Sequence, residues 1–290
     1  MSFKNDSRWM VSEFGAPEGR PFLYFHGFPG SRLEAKLADL CARRNQVRLI
    51  AVDRPGYGRT PFRIRTSIAD WHADVTGLAD QFGLDRFGVM GISGGGPYAL
   101  ACACFLPDRI SVAGLVSALG PTNRFEVIQE MPLLQRFGLT MAIHSPILIM
   151  PLFYLLMKLV RFNPALFLSH LSRTTGPADN AALAEHQLRA VLTRSVKEAL
   201  SAGPRGAWWD LKLYARPWGF ALSEVKAPVY LWHGGADHIV TASMGRMLAQ
   251  SLPNCKSNLL AEEGHFSLIC NHMSTIVETL AKAHDAAVGK

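Results

Sequence analysis

The chain has little that would tie it to nucleic acid, to an oxidising compartment or to a metal. Its 30 lysines and arginines exceed its 23 aspartates and glutamates, giving +7 at pH 7. These basic residues are scattered, and without a Lys/Arg-rich block the excess fits a solvated surface better than a nucleic-acid footprint. The opening Met1-Ser2-Phe3-Lys4-Asn5-Asp6-Ser7-Arg8 lacks the apolar run of a secretory signal, so the expected location is cytoplasmic. Five cysteines, Cys41, Cys102, Cys104, Cys255 and Cys270, are odd in number and dispersed, with neither a disulfide framework nor zinc spacing, and reduced core thiols are expected. The histidines are not paired at ligand spacing, so no metal is expected. Neither Gly95-Gly96 nor Gly56-Tyr57-Gly58 has the lysine or the dinucleotide spacing of a phosphate cradle, and no cofactor is implied.

What the chain does have is apolar content, 49% of its 290 residues, enough for a large core. Short apolar runs alternate with helix-length amphipathic segments, the pattern of a mostly parallel sheet with crossover helices. Strands are expected at 22–26, 47–52, 87–92, 110–116, 229–233 and 257–261, and helices at 31–44, 67–82, 95–105, 241–251 and 266–287. The alternation stops near Gly120 and resumes near Ala227. A stretch of that length is too long for a loop and predicts a helical subdomain over 120–226, inserted between core segments 1–119 and 227–290.

Within this insertion, the run from Leu139 to Val160 is long enough to span a bilayer. His144, Ser145, Pro146, Pro151 and Lys158 oppose a span, because they break the helix and are costly in lipid. Two short helices facing a substrate cleft are expected, with a lid that touches lipid as the lesser alternative.

The chemistry begins at Gly91-Ile92-Ser93-Gly94-Gly95, which ends the apolar run Phe87-Gly88-Val89-Met90 and opens a small-residue helix. Flanking glycines let strand and helix approach closely and project the Ser93 hydroxyl into a cleft, and Pro97 fits the first helical turn. A serine hydroxyl needs a base, an orienting acid and donors for the oxyanion. Leu231-Trp232-His233-Gly234-Gly235-Ala236-Asp237 places Asp237 at the carboxyl edge of the sheet. Glu262-Glu263-Gly264-His265-Phe266 places His265 beyond the last strand. The order serine, acid, histidine suits Ser93 as nucleophile, His265 as base and Asp237 as the group that fixes the imidazole. His26, His233, His238 and His272 are rival bases, and Asp210 and Glu262 rival acids. The turn His26-Gly27-Phe28-Pro29-Gly30 can aim a backbone N–H at the reacting carbonyl. Pro29 has none, which leaves Phe28, with Gly94 as the second donor. Asp53-Arg54-Pro55-Gly56-Tyr57-Gly58 suggests a rigid structural turn near the mouth, with Arg54, Arg59, Arg63 and Arg65 on a solvated basic face, an entrance biased toward anionic substrates being the lesser alternative.

On the segments HGFPGSR, DRPGYG, GISGGG, HGGADHIV and GHF, the chain resembles the α/β-hydrolase superfamily, in particular the capped serine hydrolases that include esterases, carbon–carbon bond hydrolases and proline-iminopeptidase-like enzymes. The resemblance implies an α/β fold with a mainly parallel, twisted sheet of about eight strands flanked by helices, its first strand from Trp9 to Phe14, and a helical cap over the site. A serine at the elbow argues against the family's epoxide hydrolases and haloalkane dehalogenases, which use aspartate.

The leading expectation is a serine hydrolase that cleaves a carboxylic ester with an apolar portion through an acyl-enzyme, that portion lying against Phe28, Trp208 and Trp209. The alternative is a carbon–carbon bond hydrolase of a diketone from aromatic breakdown, whose carboxylate would need insertion arginines such as Arg136, Arg161, Arg173, Arg189, Arg194 or Arg205. Lactonase, amidase and iminopeptidase action are variants. For the last, Glu126, Glu130, Asp179, Glu185 and Glu198 are too dispersed to hold a substrate ammonium. A non-catalytic ligand receptor on the same fold is the alternative of another class. The expected partner is a small molecule, not nucleic acid; oligomeric state is not legible.

Overall fold

The computed structural model describes residues 9–122, 129–131 and 133–289, so Glu126 lies outside the described residues. Strands β1 (Val11–Gly15), β2 (Arg20–Phe25), β3 (Val47–Val52), β4 (Phe87–Ile92), β5 (Ile110–Val116), β6 (Val229–Gly234) and β7 (Cys255–Leu260) form one seven-stranded sheet of order β1-β3-β2-β4-β5-β6-β7. Only β1 runs antiparallel, pairing Val11 with Val52 and Gly15 with Arg48. All other pairs are parallel. Seven described strands stand where about eight were expected.

The period of two along the strands assigns the two cores. Leu23, Phe25, Ile50, Val52, Val89, Leu115 and Leu231 face one side with Trp71, Val75, Tyr98 and Leu248, from α2 (Trp71–Gln81), α3 (Gly96–Phe105) and α10 (Ala242–Ser251). Phe22, Tyr24, Leu49, Met90, Ile92, Val116 and Trp232 face the other with Ala42, Leu268, Ile276 and Leu280, from α1 (Asp39–Arg44) and α11 (His265–Val288). Cover on both faces explains why every residue of β4 and β5 is buried and why those strands read as unbroken apolar runs.

The segment expected as one helix over 31–44 is a 3-10 turn, Arg32–Ala38, followed by α1. Of the cysteines expected in the core only Cys102 is fully buried, and Cys270 is exposed. Arg54 and Arg65 depart from the solvated face expected of them: both are buried, Arg54 wholly so.

Between β5 and β6 come α4 (Leu133–His144), α5 (Pro146–Phe162), α6 (Pro164–Thr174), α7 (Pro177–Ala184), α8 (His186–Ala199) and α9 (Arg205–Tyr214). The 139–160 run divides at Ser145, as its polar residues imply, but Pro151 sits inside α5 without ending it. Among the described residues no single helix is long and apolar enough to cross a membrane.

Candidate active site

Parallel strands deliver their following loops to one edge of the sheet, and the residues singled out from the sequence collect there. Ser93 follows β4, near the middle of the sheet, Asp237 follows β6, and His265 opens α11 after β7. Ser93 has φ of +52°, a left-handed conformation that a non-glycine residue holds only when its surroundings enforce it. The enforcement is steric. A Cβ on Gly91 would lie 2.5 Å from the Gly95 carbonyl oxygen, and one on Gly95 would lie 2.1 Å from the Phe25 carbonyl oxygen. Only glycines let the turn close this tightly against β2.

The Nδ1 of His265 lies 2.8 Å from Oδ2 of Asp237, and both side chains are buried. Asp237 is itself held, because its Oδ1 accepts the N–H groups of Ile239 and Val240, each at 2.8 Å. A carboxylate pinned this way selects the tautomer in which Nδ1 carries the proton and Nε2 keeps its lone pair. Burial disfavours the imidazolium, but Asp237, and beyond it Asp179 and Glu34, outweigh that effect and raise the His265 pKa above 6.5.

Phe28 and Gly94 meet at the foot of the site: a Cβ on Gly94 would lie 2.9 Å from that of Phe28 and 2.6 Å from the Tyr214 hydroxyl. Trp208 is buried against Phe153, ring centroids 5.4 Å apart. Trp209 points elsewhere, donating its indole N–H to the Arg65 carbonyl at 3.0 Å and packing on Phe62.

Three of the rival histidines have other engagements, and the fourth, His238, is exposed. His26 is buried beside Arg54, its Nδ1 2.8 Å from the Gly27 carbonyl, and burial pushes its pKa well below 6.5. His233 meets the Val240 carbonyl at 2.9 Å, and His272 meets Glu263 at 2.9 Å. Of the rival acids, Glu262 is exposed. Asp210 accepts from Arg54 Nε at 2.8 Å, Tyr57 at 2.9 Å and Tyr98 at 2.5 Å.

Three carboxylates act on this site in ways the sequence did not reveal. Asp179, on α7, accepts the backbone N–H groups of His265 at 2.9 Å, Phe266 at 2.7 Å and Ser267 at 3.0 Å. It supplies from outside the cap that Gly264 cannot give α11. A Cβ on Gly264 would strike this carboxylate at 2.5 Å, so the glycine of Gly264-His265-Phe266 makes room for Asp179. Asp210, on α9, gathers Arg54, whose Nη1 donates to the His26 carbonyl at 2.5 Å and Nη2 to the Gly27 carbonyl at 3.2 Å. Tyr214, one turn along, donates to the Gly94 carbonyl at 2.9 Å. Glu34 accepts from the Tyr24 hydroxyl at 2.8 Å and the Gly27 N–H at 3.1 Å, behind the turn that carries Phe28, and its burial raises its pKa. Two further links join α8 to the core: Ser195 Oγ accepts the Ser31 N–H at 2.8 Å, and Glu198 accepts from Arg32 at 2.8 Å. Arg32 also pairs with the buried Asp53, whose pKa burial lifts to about 6. Nothing local marks the roles of Asp179 and Asp210, because the partners named here lie far away in the chain, whereas Glu34 bonds residues 10 and 7 positions before it.

Comparison with known proteins adds three findings. A family model described as the alpha/beta hydrolase fold matches residues 20–271. A 2-hydroxy-6-oxononadienedioate/2-hydroxy-6-oxononatrienedioate hydrolase from Burkholderia vietnamiensis is 28% identical over 222 residues, 76% of this chain and 70% of that one. A thermophilic esterase from Thermogutta terrifontis superposes with a TM-score of 0.67 at 20% identity, covering 95% of this chain and 94% of its own; at that identity the likeness is one of fold.

Proposed function

Because this chain belongs to the alpha/beta hydrolase fold family and is a hydrolase, we propose that it cleaves an uncharged carboxylic ester with an apolar portion through an acyl-enzyme on Ser93, under a cap formed by the helices of 120–226. Ser93 Oγ attacks the ester carbonyl carbon as His265 Nε2 takes its proton, and Asp237 stabilises the imidazolium. The tetrahedral oxyanion lies at the N–H groups of Phe28 and Gly94. Collapse breaks the bond to the alcohol oxygen, which leaves with the proton from His265. Water, deprotonated by His265, then attacks the acyl carbon, and Ser93 recovers its proton as the acid departs.

One observation carries the uncharged ester over a charged substrate: every buried arginine among the described residues is already neutralised. Arg54 pairs with Asp210, Arg32 with Asp53 and Glu198, and Arg65 with Asp74. The insertion's described arginines are exposed or half-buried: Arg205 lies over the Phe62 ring, and Arg189 bonds the Leu183 carbonyl and Ser169. A substrate carboxylate would have no free buried cation to replace its hydration. The second reading, carbon–carbon hydrolysis of a ring-fission diketone, draws its support from the relative named above.

Initial rates of wild type and Ser93→Ala on p-nitrophenyl esters from acetate to decanoate, beside a ring-fission dioate, test the assignment. Ester turnover lost by about 10³-fold or more in Ser93→Ala is expected. Cleavage of the dioate by an ester-inactive wild type would overturn it.

A further inference from the structure

The largest feature that the proposed chemistry does not use is the outer face of α5. Leu148, Leu152, Leu155, Leu159 and Phe162 recur at intervals of three and four, which places them on one face of the helix. They are between 55% and 74% exposed. Ile147, Leu156 and, on α6, Leu166 are exposed as well. The opposite face of α5 already does the packing, through Phe153, Met157 and Val160 against Tyr57, Val196 and Leu200. The outward leucines are therefore surplus to folding, and a contiguous apolar surface of this extent marks a docking face.

Charge points to what it docks on. From Met131 to Ala178 the sequence holds no aspartate or glutamate, while Arg136, Lys158, Arg161 and Arg173 fall in that span. Lys158 and Arg161, with Tyr154 and Leu155, line a cavity of about 360 Å³ against Leu200 and Pro204. Apolar side chains beside unopposed cations are complementary to a surface with an apolar interior and anionic headgroups. A second copy is a poorer fit. A two-fold contact would set these cations against their own duplicates, with no acidic residue in the span to relieve them. The α5 and α6 helices meet at a bend of 105°, a geometry in which both can lie along a bilayer surface.

We propose that the α5–α6 face docks on an anionic lipid bilayer, its leucine and phenylalanine stripe entering the acyl boundary and its Lys158–Arg161 groove receiving phosphate-bearing headgroups. The inference stands apart from the ester-hydrolase reading, since its readout is binding.

The test is co-sedimentation of the full chain with vesicles of phosphatidylcholine alone and with a fraction of phosphatidylglycerol, beside sedimentation velocity without lipid. Wild type is expected to bind the anionic vesicles preferentially, and less as salt rises. Lys158→Gln with Arg161→Gln should weaken that binding by roughly 25-fold, a factor of five per charge. Leu152→Glu with Leu155→Glu and Leu159→Glu should abolish it while the melting temperature holds, because these side chains are exposed. Failure of wild type to bind anionic vesicles overturns the proposal, as does equal binding by the glutamate variant. A wild-type dimer that the glutamate variant splits, with neither form binding vesicles, would assign the face to a second copy.

Discussion

Asp179→Ala is the change from which the structure predicts most. It removes a fully buried carboxylate that accepts three backbone N–H groups at the start of α11, the first of them that of His265. Hydrogen bonds to a charged acceptor contribute about 1.5–3 kcal/mol each, so three would sum to roughly 5 kcal/mol or more. Relief of the buried carboxylate's desolvation returns part of that, and a net loss of about 2–4 kcal/mol remains. For a chain of this size that is roughly 4–8 °C in melting temperature by calorimetry. Activity should fall further than stability suggests, because the released N-terminus carries His265, and a displacement of about 1 Å there can cost about 10²-fold in kcat/KM. Asp179→Asn separates two effects. It keeps a carbonyl oxygen for Phe266 and Ser267, so it should lose about 1 kcal/mol. It also removes a charge that raises the His265 pKa, so in both variants the acid limb of kcat/KM should move to lower pH. An alanine variant that melts with wild type and keeps its kcat/KM and acid limb would refute the reasoning.

Other expectations follow from the same geometry. In wild type, the acid limb of kcat/KM should have its midpoint above 6.5, because His265 is idle as a base while protonated and its neighbours raise its pKa. The stability linked to that shift has the opposite sense: it is complete at low pH and is lost as pH rises through the His265 pKa. Asp237→Asn should lower kcat by about 10³–10⁴-fold by releasing the tautomer, and shift the limb downward, with far-ultraviolet circular dichroism unchanged. Asp210→Ala leaves Arg54 as a buried unpaired charge and should cost about 3–5 kcal/mol by urea unfolding. Gly264→Ala sets a methyl group against Asp179 and should reproduce the Asp179→Ala phenotype in melting temperature and kcat/KM, a loss of about 1–3 kcal/mol.

The sheet was legible where both faces are covered. β3, β4 and β5 begin and end where their apolar runs do. β7 lies at the sheet edge with exposed Lys256, Ser257 and Asn258, so its polar start hid its first residues and the expected strand began two residues late. The helix expected from Ser67 starts at Trp71 because Asp70 accepts the N–H groups of Thr66 and Ser67, holding that stretch as a turn. The positions of Ser93, Asp237 and His265 could be found because each follows a strand, and a local pattern suffices to place it. The supporting roles of Asp179 and Asp210 could not be read, although Asp210 stood among the rival acids, since they act on residues 86 and 156 positions away. Asp179 looks from the sequence like any acidic residue in a helix's first turn. The direction of α5 was hidden for a related reason: a leucine-rich run shows that a helix has an apolar face without saying what covers it.

The polar anchors between insertion and core are unevenly placed, and this bears on how the molecule can diversify. Asp179, Ser195, Glu198 and Asp210 all fall after residue 176, and among the described residues no hydrogen bond ties 133–174 to the sheet domain. The later half thus holds side chains that also bond the Gly94 and Gly27 carbonyls, through Tyr214 and Asp210-bound Arg54, and the backbone of His265. The earlier half rests on it mainly through apolar contact, with the Arg189–Ser169 hydrogen bond beside it. A graft that exchanges 133–174 between relatives would alter what the molecule admits and where it settles, yet leave its reactive geometry standing. Substitution across 177–214 offers no such freedom, because side chains there bond both the candidate site and the sheet-side turns.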